Sequence, residues 1–175
     1  MLAPAAPRPA RDTDALSVRQ VPEPCADWYR ELYRRIGEDW LWFSRLQLAT
    51  SALHAIIQNP LVEVYALTCA GREEGLLELD FRTAGLCELA FFGVTPGLIG
   101  RGAGRHLMNH AIERAWRKPI RCLWVHTCTF DHPHALSFYQ RSGFYPVRRQ
   151  IEIADDPRLS GLSPVGAAPH VPLIP

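Results

Sequence analysis

The stretch from Glu88 to Met108 reads Glu-Leu-Ala-Phe-Phe-Gly-Val-Thr-Pro-Gly-Leu-Ile-Gly-Arg-Gly-Ala-Gly-Arg-His-Leu-Met. The apolar and aromatic run over Leu86 to Val94 has the composition and length of a strand, and Pro96 stops it. Beyond the glycines, apolar residues recur with the spacing of an amphipathic helix as far as Trp116. The stretch therefore predicts a strand that leads through a glycine-rich loop into a helix.

The loop between these two elements holds Gly97, Gly100, Gly102 and Gly104, more glycines than a simple turn requires. A backbone of this kind lets a ligand approach closely. Free N–H groups at the start of the following helix, together with the helix dipole, favour an anion there. Because arginines lie at positions 101 and 105, the loop is predicted to bind a phosphate or pyrophosphate.

The spacing of the glycines excludes two common phosphate-binding loops. No Lys directly follows them, as a Walker loop requires, and Arg105 and Leu107 stand where the dinucleotide pattern Gly-x-Gly-x-x-Gly needs its last glycine. The acetyl-CoA loop Gln/Arg-x-x-Gly-x-Gly/Ala does fit the six residues from Ile99 to Gly104. Here the chain resembles the GNAT superfamily of N-acetyltransferases, although Ile99 stands where that family usually has Gln or Arg.

A second motif, from His132 to Phe144, reads His-Pro-His-Ala-Leu-Ser-Phe-Tyr-Gln-Arg-Ser-Gly-Phe. It is similar to the family's Asn-x-x-Ala-x-x-x-Tyr-x-x-x-Gly-Phe, with His132 in place of Asn. Pro133 suits a first helical turn and Gly143 a left-handed stop, so the residues alone predict a short helix of about ten residues. The two motifs lie in the family's order, and the resemblance covers mainly residues 86–153.

Length, charge and cysteines limit the classes of protein. The 175 residues suffice for one domain with its own core, and 19 basic against 18 acidic residues leave a formal net charge of +1. A nucleic-acid-binding protein usually has a basic excess, and no apolar run here has the length of a membrane span. The five cysteines are an odd number that favours free thiols. We expect a cytoplasmic protein that binds neither nucleic acid nor a membrane.

Three parts are distinguished along the chain. Residues 1–14 are rich in Ala, Pro and Arg and are expected to be a flexible arm rather than a signal peptide. Residues 15–153 form the acetyltransferase-like domain. Residues 154–175 contain five prolines without periodicity, which predicts a tail that is either loose or laid along the surface.

The predicted fold class is α/β (α+β), a single GNAT-like domain. A mixed, mostly antiparallel sheet flanked by helices follows from the order β-α-α-β-β-β-α-β-α-β. Three strands form a meander that ends in the glycine loop. The other predicted elements are a strand over Leu16–Val21, a helix over Asp27–Ile36, a helix over Ala52–Gln58 capped by Ser51, a strand over Ile120–Thr129 and a closing strand over Tyr145–Ile153.

Acetyl transfer to an amine requires a neutral nucleophile, a stabilised oxyanion and a proton for the leaving thiolate. An alkylamine has a pKa near ~10.4, so a base must remove its extra proton. Glu88 stands where the histone-acetylating branch of the family has its general base, and Glu78, on the preceding strand, is the rival; either carboxylate could instead belong to a polar sheet face. The resemblance implies that Tyr139 protonates the thiolate, unless its hydroxyl has only a structural role.

The resemblance also implies a set of cofactor contacts. Backbone N–H groups near Phe92 to Val94 are expected to meet the oxyanion, and Gly93 would permit a bulge there. The N–H groups of the glycine loop are expected to hold the pyrophosphate. The residues predicted to bind acetyl-CoA, as acyl donor, are Phe92, Gly93, Val94, Gly100, Arg101, Gly102, Ala103, Gly104, Arg105 and His132.

In the resembled family, the helical region after the first strand lies beside the acceptor. Tyr33, Trp42 and Arg45 are therefore candidates for an acceptor pocket, and the alternative is that this aromatic band belongs to the core. His126 is expected to line the thioester end of the cleft. The acceptor is predicted to be a small-molecule or peptide amine whose identity stays open, as does a homodimer.

A rival interpretation concerns metal binding. Residues 126–134 contain the pattern His-x-Cys-x3-His-x-His, and zinc accepts these ligand types. We predict no metal, because a chelate at the start of the helix that presents Tyr139 would compete with the cofactor. The leading hypothesis is an acetyl-CoA-dependent N-acetyltransferase that acts by direct attack in a ternary complex. The alternative is a non-catalytic acyl-CoA-binding or regulatory module, suggested by Ile99 and His132.

Overall fold

A five-stranded sheet carries the fold in the computed structural model, which describes residues 1–9 and 15–174. Neighbouring strands are antiparallel except for the last pair, which is parallel. The strands, in sheet order, are β1 (Leu16–Gln20), β2 (Val62–Cys69), β3 (Arg72–Asp80), β4 (Leu86–Val94) and β5 (Cys122–Trp124). The helices are α1 (Ala26–Gly37), α2 (Thr50–Ile57), α3 (Ala103–Trp116) and α4 (Ala135–Arg141).

Each face of the sheet is covered by its own pair of helices. Side chains of α3 pack with Leu77, Leu79 and Leu89 in one core, and α4 contributes partly buried rings to it. Side chains of α1 and α2 pack with Leu76 in a second core on the opposite face. Because successive strand residues point to opposite faces, the polar residues that alternate with Leu77 and Leu79 lie on the face of α1 and α2. We call this the α1 face.

A bulge interrupts β4 at Ala90. Leu79 of β3 pairs with Leu89, whereas Glu78 pairs with Phe91, so Ala90 is the extra residue. The parallel ladder between β4 and β5 ends just before the bulge, at Glu88 and Trp124. The remainder of β4 therefore has no strand partner on that side among the described residues.

The bulge does not lie at Gly93, where the sequence was expected to permit one. Gly93 has another role, because a Cβ atom there would lie 2.4 Å from Ile36 Cγ2 and 3.2 Å from the Trp42 ring. The missing side chain lets α1 pack closely against β4. The extra residue lies instead at Ala90, where the partner of β4 changes register.

The predicted fold class is confirmed, but the last two strands differ from the prediction. The strand expected over Ile120–Thr129 is only the three residues of β5, and the closing strand expected over Tyr145–Ile153 is not formed. Met1 explains part of this difference, because its ammonium donates to the Leu123 carbonyl at 2.9 Å and its carbonyl accepts from the Leu123 N–H at 3.0 Å. The outer edge of β5 is thus already hydrogen-bonded at its central residue.

One helix also begins earlier than predicted. α2 starts at Thr50 with Ala49 at its N-cap, and no side chain caps it, so Ser51 lies within the first turn. The hydroxyl of Thr50 accepts a hydrogen bond from Arg30 at 3.1 Å, which ties the start of α2 to α1. No helix in residues 1–9 and 15–174 is long and apolar enough to cross a bilayer, and the cytoplasmic location stays a prediction.

The chain ends lie against the domain. Arg8 exchanges two backbone hydrogen bonds with the Asn109 side chain of α3, and residues 10–14 of the predicted arm lie outside the described residues. In the tail, the guanidinium of Arg158 is bound to the carboxylate of Asp156 and donates to carbonyls of the turn that follows. Ala168 is buried against Leu41. The tail thereby covers the chain that follows α1.

Candidate active site

The glycine loop leads directly into the N-terminus of α3. Gly100 and Gly102 have φ values of 78° and 90°, in the left-handed region that favours glycine. Gly102 is the N-cap of α3, and the first backbone bond into the helix runs from the His106 N–H to the Gly102 carbonyl at 3.0 Å. The N–H groups of residues 103–105 have no partner among the described residues. This is an anion-binding geometry.

Two cations and an open position flank these N–H groups. Arg101 is exposed, and the Arg105 guanidinium donates to the Pro9 carbonyl at 2.9 Å. A Cβ atom at Gly104 would meet only the Phe138 ring, at 3.9 Å. The loop therefore offers positive charge and room for a bulky anion. These are the features predicted for the pyrophosphate of acetyl-CoA.

The unpaired part of β4 runs from the bulge towards this loop. Beyond Glu88 its β5 side has no ladder partner in the described chain, so backbone groups of residues 90–94 are free to bind a ligand on that side. Phe92 is partly buried, and its ring stacks on Phe138 of α4 with centroids 5.7 Å apart. The predicted oxyanion-binding positions 92–94 lie in this stretch.

Tyr139 lies on α4 among aromatic rings. Its centroid is 6.2 Å from that of Phe92, 5.8 Å from that of Phe138 and 5.9 Å from that of Phe144. Burial and the negative charge of Asp131 raise the pKa of the Tyr139 phenol. The phenol therefore keeps its proton at neutral pH and is a weaker acid than an ordinary tyrosine.

Glu78 lies at the centre of the α1 face and is fully buried, with 0% of its surface exposed. One carboxylate oxygen accepts from the Tyr29 hydroxyl at 2.5 Å, and the other accepts from Arg45 Nη2 at 2.5 Å. Although burial opposes it, the charge of Glu78 raises the pKa of Arg45. The pair is a buried ion pair with both carboxylate oxygens engaged, which favours a structural role.

The three residues predicted to form an acceptor pocket have different environments in the structure. Tyr33 is fully buried, burial raises its pKa to about 12, and its ring packs on Trp42 and Phe91. Arg45 is held by Glu78. Trp42 reaches outward, because its indole N–H points to Asp131 Oδ1 at 3.4 Å. The burial of Tyr33 and the pairing of Arg45 argue against direct contact with an acceptor, and the core interpretation fits them better.

Glu88 has a different environment from Glu78. Its Oε1 lies 3.3 Å from His126 Nδ1, and the side chains of Glu88 and His126 are 26% and 65% exposed. The hydrogen bond to Glu88 raises the pKa of His126, although partial burial opposes the shift. A solvent-accessible carboxylate and imidazole in contact can take up a proton and pass it on.

A cavity of about 240 Å³ opens beside this pair. Asp80 lies directly opposite Glu88 across β3 and β4, so two carboxylates meet at the cavity. Although burial would raise the pKa of Asp80, hydrogen bonds from Arg82 lower it, so Asp80 stays charged. Because Arg82 also lines the cavity and is paired with Asp80, Glu88 is the lining carboxylate whose charge no lining cation balances. The lining residues of the cavity are Asp80, Arg82, Thr83, Leu86, Glu88 and Trp124.

Comparison with known proteins identifies this arrangement. The model of the acetyltransferase (GNAT) family matches residues 25–144. The chain belongs to the GNAT family. That stretch covers the helical region, the glycine loop and the Tyr139 helix, and the resemblance read from the sequence is thereby confirmed.

Solved structures share the fold at low sequence identity. The aminoglycoside acetyltransferase meta-AAC0020 from an uncultured soil metagenomic sample, in complex with sisomicin, has a TM-score of 0.65 and 13% identity over 83% of this chain and 98% of its own. AAC(6')-Iy in complex with a bisubstrate analogue has a TM-score of 0.61 and 19% identity, over 80% of this chain and 97% of its own. The ribosomal-protein-S18-alanine N-acetyltransferase from Escherichia coli has a TM-score of 0.60 and 15% identity, over 76% of this chain and 79% of its own. A search of curated proteins found no match.

In this GNAT domain, the histidine-rich stretch makes local contacts. The His132 ring lies against Trp40 with centroids 5.1 Å apart, and its Nδ1 accepts from the His134 N–H at 3.1 Å. Its predicted contact with the cofactor stays a prediction. Cys128 Sγ accepts from the Phe130 N–H at 3.4 Å. Among the residues that the structure describes, no group of three or more His, Cys, Asp or Glu side chains is placed to hold a metal ion.

Sequence reasoning missed three residues of this site. Asp131 accepts hydrogen bonds from Thr127 Oγ1 at 2.7 Å and from the Cys128 N–H at 3.0 Å, and it faces Trp42 and influences Tyr139. Arg82 pairs with Asp80 and keeps its carboxylate ionised at the cavity. The only signal for Asp131 was its place directly before the His132 motif. The hydrogen bonds that hold both carboxylates are mostly local, but the fold brings Asp131 to Trp42 and places Asp80 opposite Glu88.

Proposed function

We propose that this GNAT protein transfers the acetyl group of acetyl-CoA to a cationic small-molecule amine by direct attack in a ternary complex. The observation that carries the proposal is the Glu88–His126 pair at the edge of the carboxylate-lined cavity. Glu88 lies on β4, the strand that leads to the anion-binding loop, and His126 follows β5. Two fold relatives are aminoglycoside acetyltransferases by name, and one was solved in complex with sisomicin. A small-molecule amine of this kind would be protonated at neutral pH, and the carboxylate of Glu88 would attract it.

The cofactor site is assigned to the glycine loop and to β4. Free N–H groups of residues 103–105, with Arg101, bind the pyrophosphate, and unpaired backbone of residues 90–94 binds the amide-bearing arm as an added strand would. Acetyl-CoA supplies the acyl group as a reactive thioester. Because the fit rests on backbone atoms and on Arg101, the Ile99 departure from the family pattern does not prevent it.

Three groups of this chain handle charge and protons. The Glu88–His126 pair takes a proton from the acceptor ammonium, so that the free amine attacks the thioester carbonyl. Backbone N–H groups near Phe92–Val94 stabilise the oxyanion while the C–N bond forms. The Tyr139 phenol donates its proton to the sulfur as the C–S bond breaks. The nitrogen loses its second proton to solvent as it becomes an amide. The phenol recovers a proton from solvent after product release, so the net reaction releases one proton.

A screen of amines with acetyl-CoA, reading out free thiol, tests the proposal. Gly104→Val should abolish acetyl-CoA binding, because the side chain would occupy the space beside the α3 N-terminus. Gly97→Val is the matched control, since Gly97 lies in the same loop, has an ordinary φ and has nothing within 4 Å of an added Cβ. Unchanged affinity in folded Gly104→Val would remove the loop assignment. Binding without thiol release for any amine would indicate the non-catalytic module.

Tyr139→Phe tests the acid. The ring and its packing are retained, so the melting temperature and the acetyl-CoA affinity should stay close to those of the wild type. We expect kcat to fall about a hundredfold or more, as for a positioned acid. The fall in kcat should be smaller with a thioester whose thiol is more acidic, because that thiolate leaves without needing a proton. A lower melting temperature with normal kcat would instead assign the hydroxyl a structural role.

A further inference from the structure

Residues 156–172 of the tail form no helix or strand and are organised around the side chain of Arg158. This side chain is buried, and its guanidinium nitrogens lie within 3.3 Å of both Asp156 carboxylate oxygens and of the carbonyl oxygens of Ala167, Val171 and Pro172. The planar guanidinium has five N–H groups in a fixed arrangement, which suits several oxygens at once. One side chain therefore connects both ends of these turns. We call residues 156–172 the clamp.

The clamp is docked on the three residues that follow the short turn after α1. Leu41 has a φ of 52°, in a left-handed conformation that is uncommon for a side chain of this type, and it is buried against Ala168. The ring of Trp40 lies 5.5 Å from that of His170 between centroids. Surrounding contacts hold a backbone of this kind in place. The clamp thus fixes the path of the chain at residues 40–41.

Trp42 connects the clamp to the candidate active site. On one side it lines a small cavity together with residues 162–164 of the clamp. On the other side its ring centroid lies 5.4 Å from that of Phe91, and a Cβ atom at Gly93 would lie 3.2 Å from it. Its indole N–H points to Asp131 Oδ1 at 3.4 Å. Trp42 therefore lies between the clamp and the unpaired part of β4.

The two faces of β4 give Trp42 its place relative to the proposed reaction. Phe91 packs in the core of α1 and α2, whereas Phe92 packs in the opposite core together with Tyr139. Glu88 points to the α1 face, because its neighbours in β4 belong to the core of α3. The proposed base and acid thus lie on opposite faces of the strand that would hold the thioester. An acceptor that meets the base first approaches from the α1 face, past Trp42.

We infer that the clamp holds Trp42 against Asp131 as a fixed wall of the acceptor path. Arg158 is then a positioning residue, which touches neither the cofactor nor the acceptor and acts through residues 40–42. Trp40 adds a second link, because its ring lies 5.1 Å from that of His132, the residue after Asp131. This inference rests on the proposed acetyl transfer, since the acceptor path is defined by that reaction.

The indole N–H resonances test whether the clamp holds the two tryptophans in the full chain. Arg158→Met removes the donors and keeps much of the aliphatic length, so the NMR signals of Trp40 and Trp42, assigned with Trp→Phe variants, should shift. The signal of Trp28 should not, because its indole N–H is bound to Glu73 at 2.6 Å. Arg149→Met is the matched control, since Arg149 is exposed and lies outside the clamp.

A second variant keeps the centre of the clamp intact. His170→Ala leaves every contact of Arg158 in place and removes the ring beside Trp40, so the Trp40 signal should shift and the Trp42 signal should stay. Unchanged Trp40 and Trp42 signals in folded Arg158→Met would overturn the clamp. A shift of the Trp28 signal as large as theirs would also overturn it, because the variant would then loosen the whole domain.

Kinetics with an amine that the wild type acetylates test the acceptor path. In Arg158→Met the KM for the amine should rise about tenfold, because the wall that positions it is released. The Kd for acetyl-CoA, measured by calorimetry, should change less than about twofold, since the glycine loop and the free edge of β4 are not in contact with the clamp. A merely structural arginine would lower the melting temperature and leave the KM for the amine unchanged.

The inference and the proposed function fail in different experiments. An unchanged KM for the amine, with displaced tryptophan signals, would overturn the role of the clamp in the acceptor path while acetyl transfer stands. A wild type that acetylates no amine would overturn the proposed function and the acceptor path with it. The indole resonances would then still decide whether Arg158 holds Trp42.

Discussion

The α1 face carries two carboxylates with opposite surroundings. Around Glu78, in the centre of the sheet, the carboxylate has no exposed surface and both of its oxygens are engaged by Tyr29 and Arg45. Around Glu88, near the sheet edge, the carboxylate is 26% exposed and contacts one exposed histidine beside a cavity. A carboxylate whose oxygens are both bound by fixed donors stabilises the fold, whereas one with free capacity can exchange protons. The comparison therefore favours a structural role for Glu78 and supports the proposed proton transfer at Glu88.

The largest expected effect is that of Glu88→Gln on turnover. The amide keeps the shape but cannot accept a proton, so kcat/KM should fall about a hundredfold or more. Acetyl-CoA affinity and melting temperature should change little, because the side chain is partly exposed. Steady-state kinetics and calorimetry on the same preparation measure all three quantities. Normal turnover in this variant, with a large loss in Glu78→Gln, would exchange the two assignments.

Glu78→Gln should act on stability instead. It leaves the Arg45 guanidinium buried without its counter-ion, and breaking such a pair costs about 3–5 kcal/mol. Urea unfolding should show a lower midpoint with an unchanged slope, and turnover per folded molecule should stay near that of the wild type. The double variant Glu78→Gln, Arg45→Met is the control and should recover part of the lost stability. A stable single variant would show that the carboxylate is not holding this cluster together.

The smallest effect concerns the protonation of His126. Glu88 raises the pKa of His126 in the folded protein, so the pair contributes stability below the unfolded pKa, near ~6.5, and loses it as the pH rises through the folded value. Glu88→Gln should move the His126 titration, followed by NMR, to lower pH. The stability difference between wild type and variant should be below about 1 kcal/mol, as for exposed pairs, and larger at pH 5.5 than at pH 9. An unchanged His126 titration in this variant would show that Glu88 does not raise the pKa of His126.

The predictions from sequence succeeded where a feature depends on neighbours along the chain. The bounds of β4, the left-handed Gly143 and the α3 helix after the glycines follow from local backbone preferences. The closing strand over Tyr145–Ile153 has a correct strand pattern but is not formed, because a strand also needs an edge that accepts it. The prediction that Ser51 caps α2 was wrong for a similar reason, because Arg30 of α1 binds Thr50 at the start of that helix.

By itself, the sequence determined the glycine loop, the Tyr139 helix and hence the family, because these motifs are short and their geometry is dictated by glycine and proline conformations. Only the tertiary structure decided which acidic residue is free. Glu78 and Glu88 are alike as sequence positions on neighbouring strands. Their difference comes from Tyr29 and Arg45, which the fold brings to one carboxylate, and from His126 and the cavity, which it brings to the other. Hydrogen-bond saturation and exposure are properties of the packed chain.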